Sequence, residues 1–269
     1  MRVLPLELNV CNHCLPLHTS RVDSIFGQQQ AAIALLDRLN PQQRLNEMKV
    51  YKKLIPSQIF KRLAHADIFE IGKVSDVPNL YIFFGGSGIE ESVYQERAKT
   101  LMTLFDSSIA RLEQRNINAV LVFVTSPYDV SFDQIASDSE LAQKFERHVL
   151  QELCSQWQNC KFYLMAFSGG AALALNGLHR HPNCRGAALF GADQFPLQWM
   201  GPESWRHPVQ IFCARDDRVC SAPATLSRFK QLEKTGQVEW IECATGGHSL
   251  KNYIDSFFLQ AFYFAETCF

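Results

Sequence analysis

The chain has 269 residues, 26 Lys and Arg against 27 Asp and Glu, and a formal net charge of −1, with 47% of its residues hydrophobic. Near-neutrality removes any global electrostatic reason to expect nucleic acid or an anionic membrane as the main partner. The length suits one large domain with a generous core.

The N-terminal "MRVLPLELNV" is interrupted by Pro5 and Glu7, so it fits neither a signal peptide nor a membrane span, and no other stretch is long enough to cross a bilayer. The expectation is a soluble, cytoplasmic protein. Cys11 and Cys14, with His13 and His18 near, look like half of a zinc site, but no second pair has matching spacing, so no metal is expected. Nine cysteines is an odd number in a chain too large to need disulfide staples, and Cys213 and Cys243 lie in apolar runs where thiols act as small hydrophobes.

Residues 23–40, "DSIFGQQQAAIALLDRLN", read as an amphipathic helix before Pro41, and "PSQIFKRLAHA" as a second short one. Between and beside them Arg44, Lys49, Lys52, Lys53, Lys61 and Arg62 read as a solvated helix face, and Asp67 to Val74 as an edge strand. No Pro/Gly/Ser-rich linker follows. The expected organisation is one domain over residues 1–269, with a mostly helical N-terminal extension (1–76) on a core at 77–262.

From residue 77 short apolar runs alternate with longer amphipathic ones, the pattern of βαβ units in a mainly parallel sheet flanked by helices. Strands are predicted at Asn79 to Phe84, Ala119 to Thr125, Lys161 to Phe167, Gly186 to Phe190, Val209 to Ala214 and Val238 to Cys243. Helices are predicted near Glu90 to Gln114, Ser137 to Gln156, Gly170 to Arg180, Ala222 to Lys234 and Ser249 to Phe262. Runs such as "AVLVFV" and "VQIFCA" are apolar at both parities, so both sheet faces should be covered.

Three stretches carry chemistry. The strand "KFYLMAF" runs into Ser168, Gly169 and Gly170 and then an Ala/Leu helix. A serine at a strand-to-helix junction between small neighbours is a nucleophile elbow, or else a helix cap. "ARDDRV" follows a late strand with two carboxylates, and "GGHS" follows the last strand with His248. Together with "FFGGSG" these make the chain resemble the α/β-hydrolase superfamily over roughly residues 77–262, because Ser, Asp and His come in that order, each after a strand.

The resemblance implies the α/β-hydrolase fold and a Ser168, Asp217, His248 triad, the acid being chosen because Ala214 stands three residues before Asp217. Asp216 competes for that role, and so does Asp193, since some members carry the acid after the preceding strand. It also implies an oxyanion hole built from the backbone of Gly86 or Ser87 together with Gly169. The rival reading of "FFGGSG" as a phosphate or dinucleotide loop lacks the G-x-G-x-x-G spacing.

Neither metal nor organic cofactor is implied. Only the short segment "ADQFPLQWMGPESWRHP" separates two late strands, in place of a large cap. Its Phe195, Trp199 and Met200, with Tyr128, are candidates for an apolar acyl pocket. The expected partner is a small-molecule acyl ester or thioester. The same residues serve an acyltransferase, and a non-catalytic binding protein can use the same fold.

Overall fold

The computed structural model describes residues 49–55, 64–71, 79–86, 119–124, 126, 130–157, 159–171, 173–174, 181–192, 207–233, 238–253 and 259–268. Among them lie eight strands: β1 (Lys49–Ile55), β2 (Ala64–Ile71), β3 (Asn79–Phe84), β4 (Ala119–Val124), β5 (Lys161–Phe167), β6 (Cys184–Phe190), β7 (Val209–Ala214) and β8 (Val238–Cys243). The helices are α1 (Phe132–Ser137), α2 (Ser139–Gln156), α3 (Ala222–Glu233), α4 (Leu250–Tyr253) and α5 (Leu259–Cys268).

The strands form one sheet in the order β1-β2-β4-β3-β5-β6-β7-β8. β2 runs antiparallel to both β1 and β4, and every pairing from β4 to β8 is parallel. The alternation of side chains along each strand divides the core into two layers. Leu80, Ile82, Phe84, Leu164 and Ala166 face a layer containing Phe132, Phe145, Val149 and Leu153 of α1 and α2. Tyr81, Phe83, Tyr163, Met165 and Phe167 face the opposite layer, with Tyr253, Ala261, Phe262 and Ala265 of α4 and α5. β4 and β7 are buried at every position, which is why their sequences show no polar alternation.

The registers align the strand ends that matter. Phe84 of β3 pairs with both Val124 and Ala166, and Phe190 of β6 pairs with Phe167 and Phe212. The carboxyl ends of β3, β5, β6 and β7 thus open on one edge of the sheet, where parallel α/β sheets gather their functional loops.

The structure differs from the sequence expectations in several places. The sheet reaches back into the stretch read as a helical extension. Lys49, Lys52 and Lys53 belong to strand β1 rather than a helix face, and β2 begins at Ala64, where the sequence reading continues a helix. His65 therefore lies on a strand. β2 is not an edge strand, because β1 covers its outer side. The physical reason is pairing: seven residue pairs link β1 to β2, and six link β2 to β4.

The predicted helix from Ser137 is broken at Asp138, whose carboxylate caps α2 by accepting from Glu140 N–H at 2.9 Å and Leu141 N–H at 3.0 Å. Of the predicted terminal helix, α4 and the first residues of α5 are described, and residues 254–258 between them lie outside the described residues. The helices expected at residues 23–40 and 90–114, and the cap-replacing segment after Ala192, lie outside the described residues. No described helix is long and apolar enough to cross a membrane.

Candidate active site

β5 ends at Phe167 and the chain turns sharply at Ser168, which has a φ of 52°. A non-glycine residue in this left-handed region costs on the order of 1–3 kcal/mol, so the surroundings must impose it. Ser168 N–H donates to the Phe190 carbonyl of β6 at 2.9 Å, and the Ser168 carbonyl accepts from Ala171 N–H at 2.9 Å, which opens the helix starting at residue 170. Gly170 permits this close approach: a Cβ there would lie 2.5 Å from the Gly85 carbonyl oxygen and 2.6 Å from that of Phe84. Both are backbone atoms that cannot step aside. The strand-to-helix serine is therefore set against the end of β3, and a Cβ on Gly86 would be 3.6 Å from Ser168 Cβ. Gly169 is buried beside Ser168.

His248 follows β8 and reaches across to this turn. Its Nε2 lies 3.0 Å from Ser168 Oγ, and its Nδ1 lies 2.9 Å from Asp217 Oδ2. The Asp217 side chain is fully buried and that of His248 mostly so. A buried carboxylate must be well hydrogen-bonded to hold its charge. Asp217 Oδ1 accepts from the N–H of Val219 at 2.8 Å and of Cys220 at 2.7 Å, and Oδ2 accepts from Tyr253 Oη at 3.3 Å as well as from the imidazole. With Nδ1 donating to an acceptor-only carboxylate, the Nε2 lone pair faces the serine hydroxyl. That arrangement can take a proton from Ser168.

The supports of this line are aromatic on one side and small on the other. The Phe167 ring lies against the imidazole, with centroids 4.8 Å apart and planes tilted by 32°. Tyr253 accepts from Ala214 N–H at 2.9 Å while it donates to Asp217, tying the end of β7 to the carboxylate. Burial pushes the Tyr253 hydroxyl well above its ordinary pKa, so it keeps the proton it donates.

Of the three acids considered from the sequence, the hydrogen bond to His248 belongs to Asp217. Asp216 points elsewhere: it is exposed, and its Oδ1 accepts from Gly247 N–H at 2.8 Å. That N–H bond, before any other influence, holds its carboxyl below the usual carboxylate range. Asn252 Nδ2 donates to the Gly246 carbonyl at 2.6 Å, so the "GGHS" loop is gripped from two sides. Asp193 lies outside the described residues, as do Ser87, Tyr128, Phe195, Trp199 and Met200.

Sequence reasoning missed Tyr253, Gly191 and the role of Phe167. Phe167 sits beside the serine in the motif, but nothing in a linear pattern says that its ring meets a histidine 81 positions later. Gly191 was legible only as the residue after the strand predicted at Gly186 to Phe190.

No family model matches the sequence, and no curated protein matches it either. Solved structures do share its architecture. A thermostable esterase superposes with a TM-score of 0.63 at 14% identity, the match covering 81% of this chain and 62% of that one, so the chain spans less than two thirds of that esterase. A Pyrococcus furiosus esterase gives 0.56 at 11% identity over 86% of this chain and 93% of its own. Thermogutta terrifontis esterase 2, in a form phosphoramylated by tabun, gives 0.54 at 12% identity over 81% and 92%. The chain has the α/β-hydrolase fold.

Proposed function

We propose that this protein is a serine hydrolase of carboxylic esters or thioesters that works through an acyl-enzyme on Ser168. The observation that carries the reading is the unbroken line from Ser168 Oγ through the His248 ring to Asp217, at 3.0 and 2.9 Å. That such solved neighbours of the fold are esterases supports the substrate class.

A serine hydroxyl is a weak nucleophile at neutral pH and needs a base within hydrogen-bond reach. His248 Nε2 removes the Ser168 proton as Oγ attacks the acyl carbonyl, and Asp217 stabilises the imidazolium that forms. The developing oxyanion is received by backbone N–H groups, that of Gly169 and one from the loop at Gly86 and Ser87. The tetrahedral intermediate collapses as the imidazolium returns the proton to the leaving alcohol or thiol. Water, deprotonated by His248, then attacks the acyl-enzyme and regenerates the serine. Phe195, Trp199, Met200 and Tyr128 are proposed to line the acyl pocket.

The test is covalent labelling with a fluorophosphonate, a choice supported by the phosphoramylated esterase of the same fold. Wild type should label at Ser168, whereas Ser168→Ala and His248→Ala should not, and a chain-length series of esters and thioesters then defines the acyl group. A well-folded wild type that neither labels nor turns over any ester would overturn the reading.

A further inference from the structure

Asp217 and His248 have a third neighbour that ester hydrolysis does not use. Cys220 closes the turn after Asp217: its N–H donates to Asp217 Oδ1 at 2.7 Å, and its carbonyl accepts from Cys213 Sγ at 3.6 Å. The residue is 2% exposed. One ligand atom each from Asp217, Cys220 and His248 lies within 4.8 Å of the other two. Around a tetrahedral zinc ion, sulfur, nitrogen and oxygen ligands sit roughly 3.4–3.6 Å apart, given bonds of about 2.0–2.3 Å. To reach that spacing the longest separation must close by about 1.4 Å at most, and Nδ1 and Oδ2, 2.9 Å apart, must spread by about 0.5 Å.

We propose that Asp217, Cys220 and His248 form an inhibitory site for a thiophilic divalent cation of the zinc class, with water completing the coordination. A thiol, an imidazole and a carboxylate together select such an ion over magnesium or calcium, which prefer all-oxygen shells. The inhibitory consequence rests on the catalytic reading of Ser168 and His248, whereas the binding itself does not.

The consequence follows from which ring nitrogen is taken. Nδ1 is the atom facing Asp217, so the metal displaces the proton that Nδ1 carries. The neutral imidazole then holds its proton on Nε2, and the Cys220 thiol proton leaves to solvent as the sulfur binds. An Nε2–H cannot accept the proton of Ser168, so the reaction stops at its first step. Asp217 and Cys220 are buried and His248 is partly buried, while Arg218 and Val219 between Asp217 and Cys220 are exposed, Val219 by 55%. The ion enters as that turn opens, which makes inhibition time-dependent.

The experiment uses the full chain after stripping with a chelator. Cobalt(II) is titrated while the near-ultraviolet thiolate-to-cobalt charge-transfer band is followed, zinc is added in competition, and magnesium serves as the oxygen-preferring control. Wild type and Ser168→Ala should both develop a band that zinc removes and magnesium does not. Cys220→Ser, checked for folding by circular dichroism and thermal melting, should lose it. Loss of an outer-shell partner alone costs about 10–100-fold in metal affinity, so losing this ligand should weaken zinc binding by roughly a hundredfold or more.

Zinc should slow ester turnover and fluorophosphonate labelling progressively in wild type. Cys220→Ser, referred to its own metal-free rate, should be insensitive. A band unchanged in Cys220→Ser, or one that disappears only when Cys11 and Cys14 are replaced, overturns the proposal. A Cys220-dependent band in a chain that hydrolyses no ester would leave the site standing and remove the proposed function. Ester activity without such a band would do the opposite.

Discussion

Gly191 and His248 are in such close apposition that a Cβ on the glycine would lie 3.2 Å from both Nδ1 and Cε1 of the imidazole, and 3.4 Å from Asp217 Oδ2. Gly191 also has a φ of 53°, a conformation costly for any side chain. Gly191→Ala should therefore push the imidazole by a few tenths of an ångström and lower kcat by roughly tenfold, since a 1 Å misplacement can cost about a hundredfold. Stability should fall by about 1–2 kcal/mol from the backbone alone. Steady-state kinetics and a denaturant titration on the same preparation test both effects, and an unchanged kcat would show that the histidine does not need this space.

Tyr253→Phe removes a hydroxyl that serves two partners at once. The Ala214 N–H loses its acceptor and Asp217 loses a donor, in a buried setting where each unmet group costs about 1–3 kcal/mol. The expected outcome is a loss of stability in that range and a several-fold lower kcat with KM little changed. A variant as stable as wild type would mean that water takes over both bonds.

Asp216 acts on the histidine loop rather than on the imidazole. Asp216→Ala should lower kcat by roughly threefold, at the small end because the carboxylate is exposed and its bond is screened. Asp216→Asn should restore most of the loss, because its amide oxygen still accepts from Gly247 N–H. A rate for the alanine variant equal to wild type, or no rescue by asparagine, would separate this carboxylate from the working of the loop.

Thiol reactivity offers a check on the core. Burial pushes the Cys184 thiol up to about 12 and the Cys243 thiol up to about 11, so in the native chain both stay protonated and inert at mildly alkaline pH. Alkylation mapped by mass spectrometry should leave these two unmodified until denaturant is added, when all nine cysteines react. Rapid native labelling of Cys184 would mean that the β6 end of the sheet opens readily.

Much of this arrangement was legible because the central strands are apolar on both faces. β3, β5, β7 and β8 fall on the predicted residues, β4 does so as far as Val124, and β6 starts two residues earlier than predicted, at Cys184. Ser168 and Asp217 could be picked out because each follows such a strand, and His248 because it follows the last predicted strand, β8, at the end of the sheet order. β1 and β2 were not legible as sheet. "KVYKKLI" is rich in lysine, and "AHADIFEI" begins with helix-favouring alanines, so local preference pointed away from the pairing that β2 makes with β4. Tyr253 was missed for a related reason: its hydroxyl meets Asp217 36 positions away, and no periodicity records a bond of that kind.

Asp216 and Asp217 are consecutive, and so are Gly247 and His248. The first carboxylate holds the backbone of the first partner and the second holds the ring of the next. The two loops are stitched at adjacent points, so neither can open by itself without releasing both bonds. They constitute one cooperative unit of local unfolding. Amide hydrogen exchange at Gly247, Val219 and Cys220 should report a single opening event, in which Asp217 and His248, the proposed acid and base, are lost or retained together.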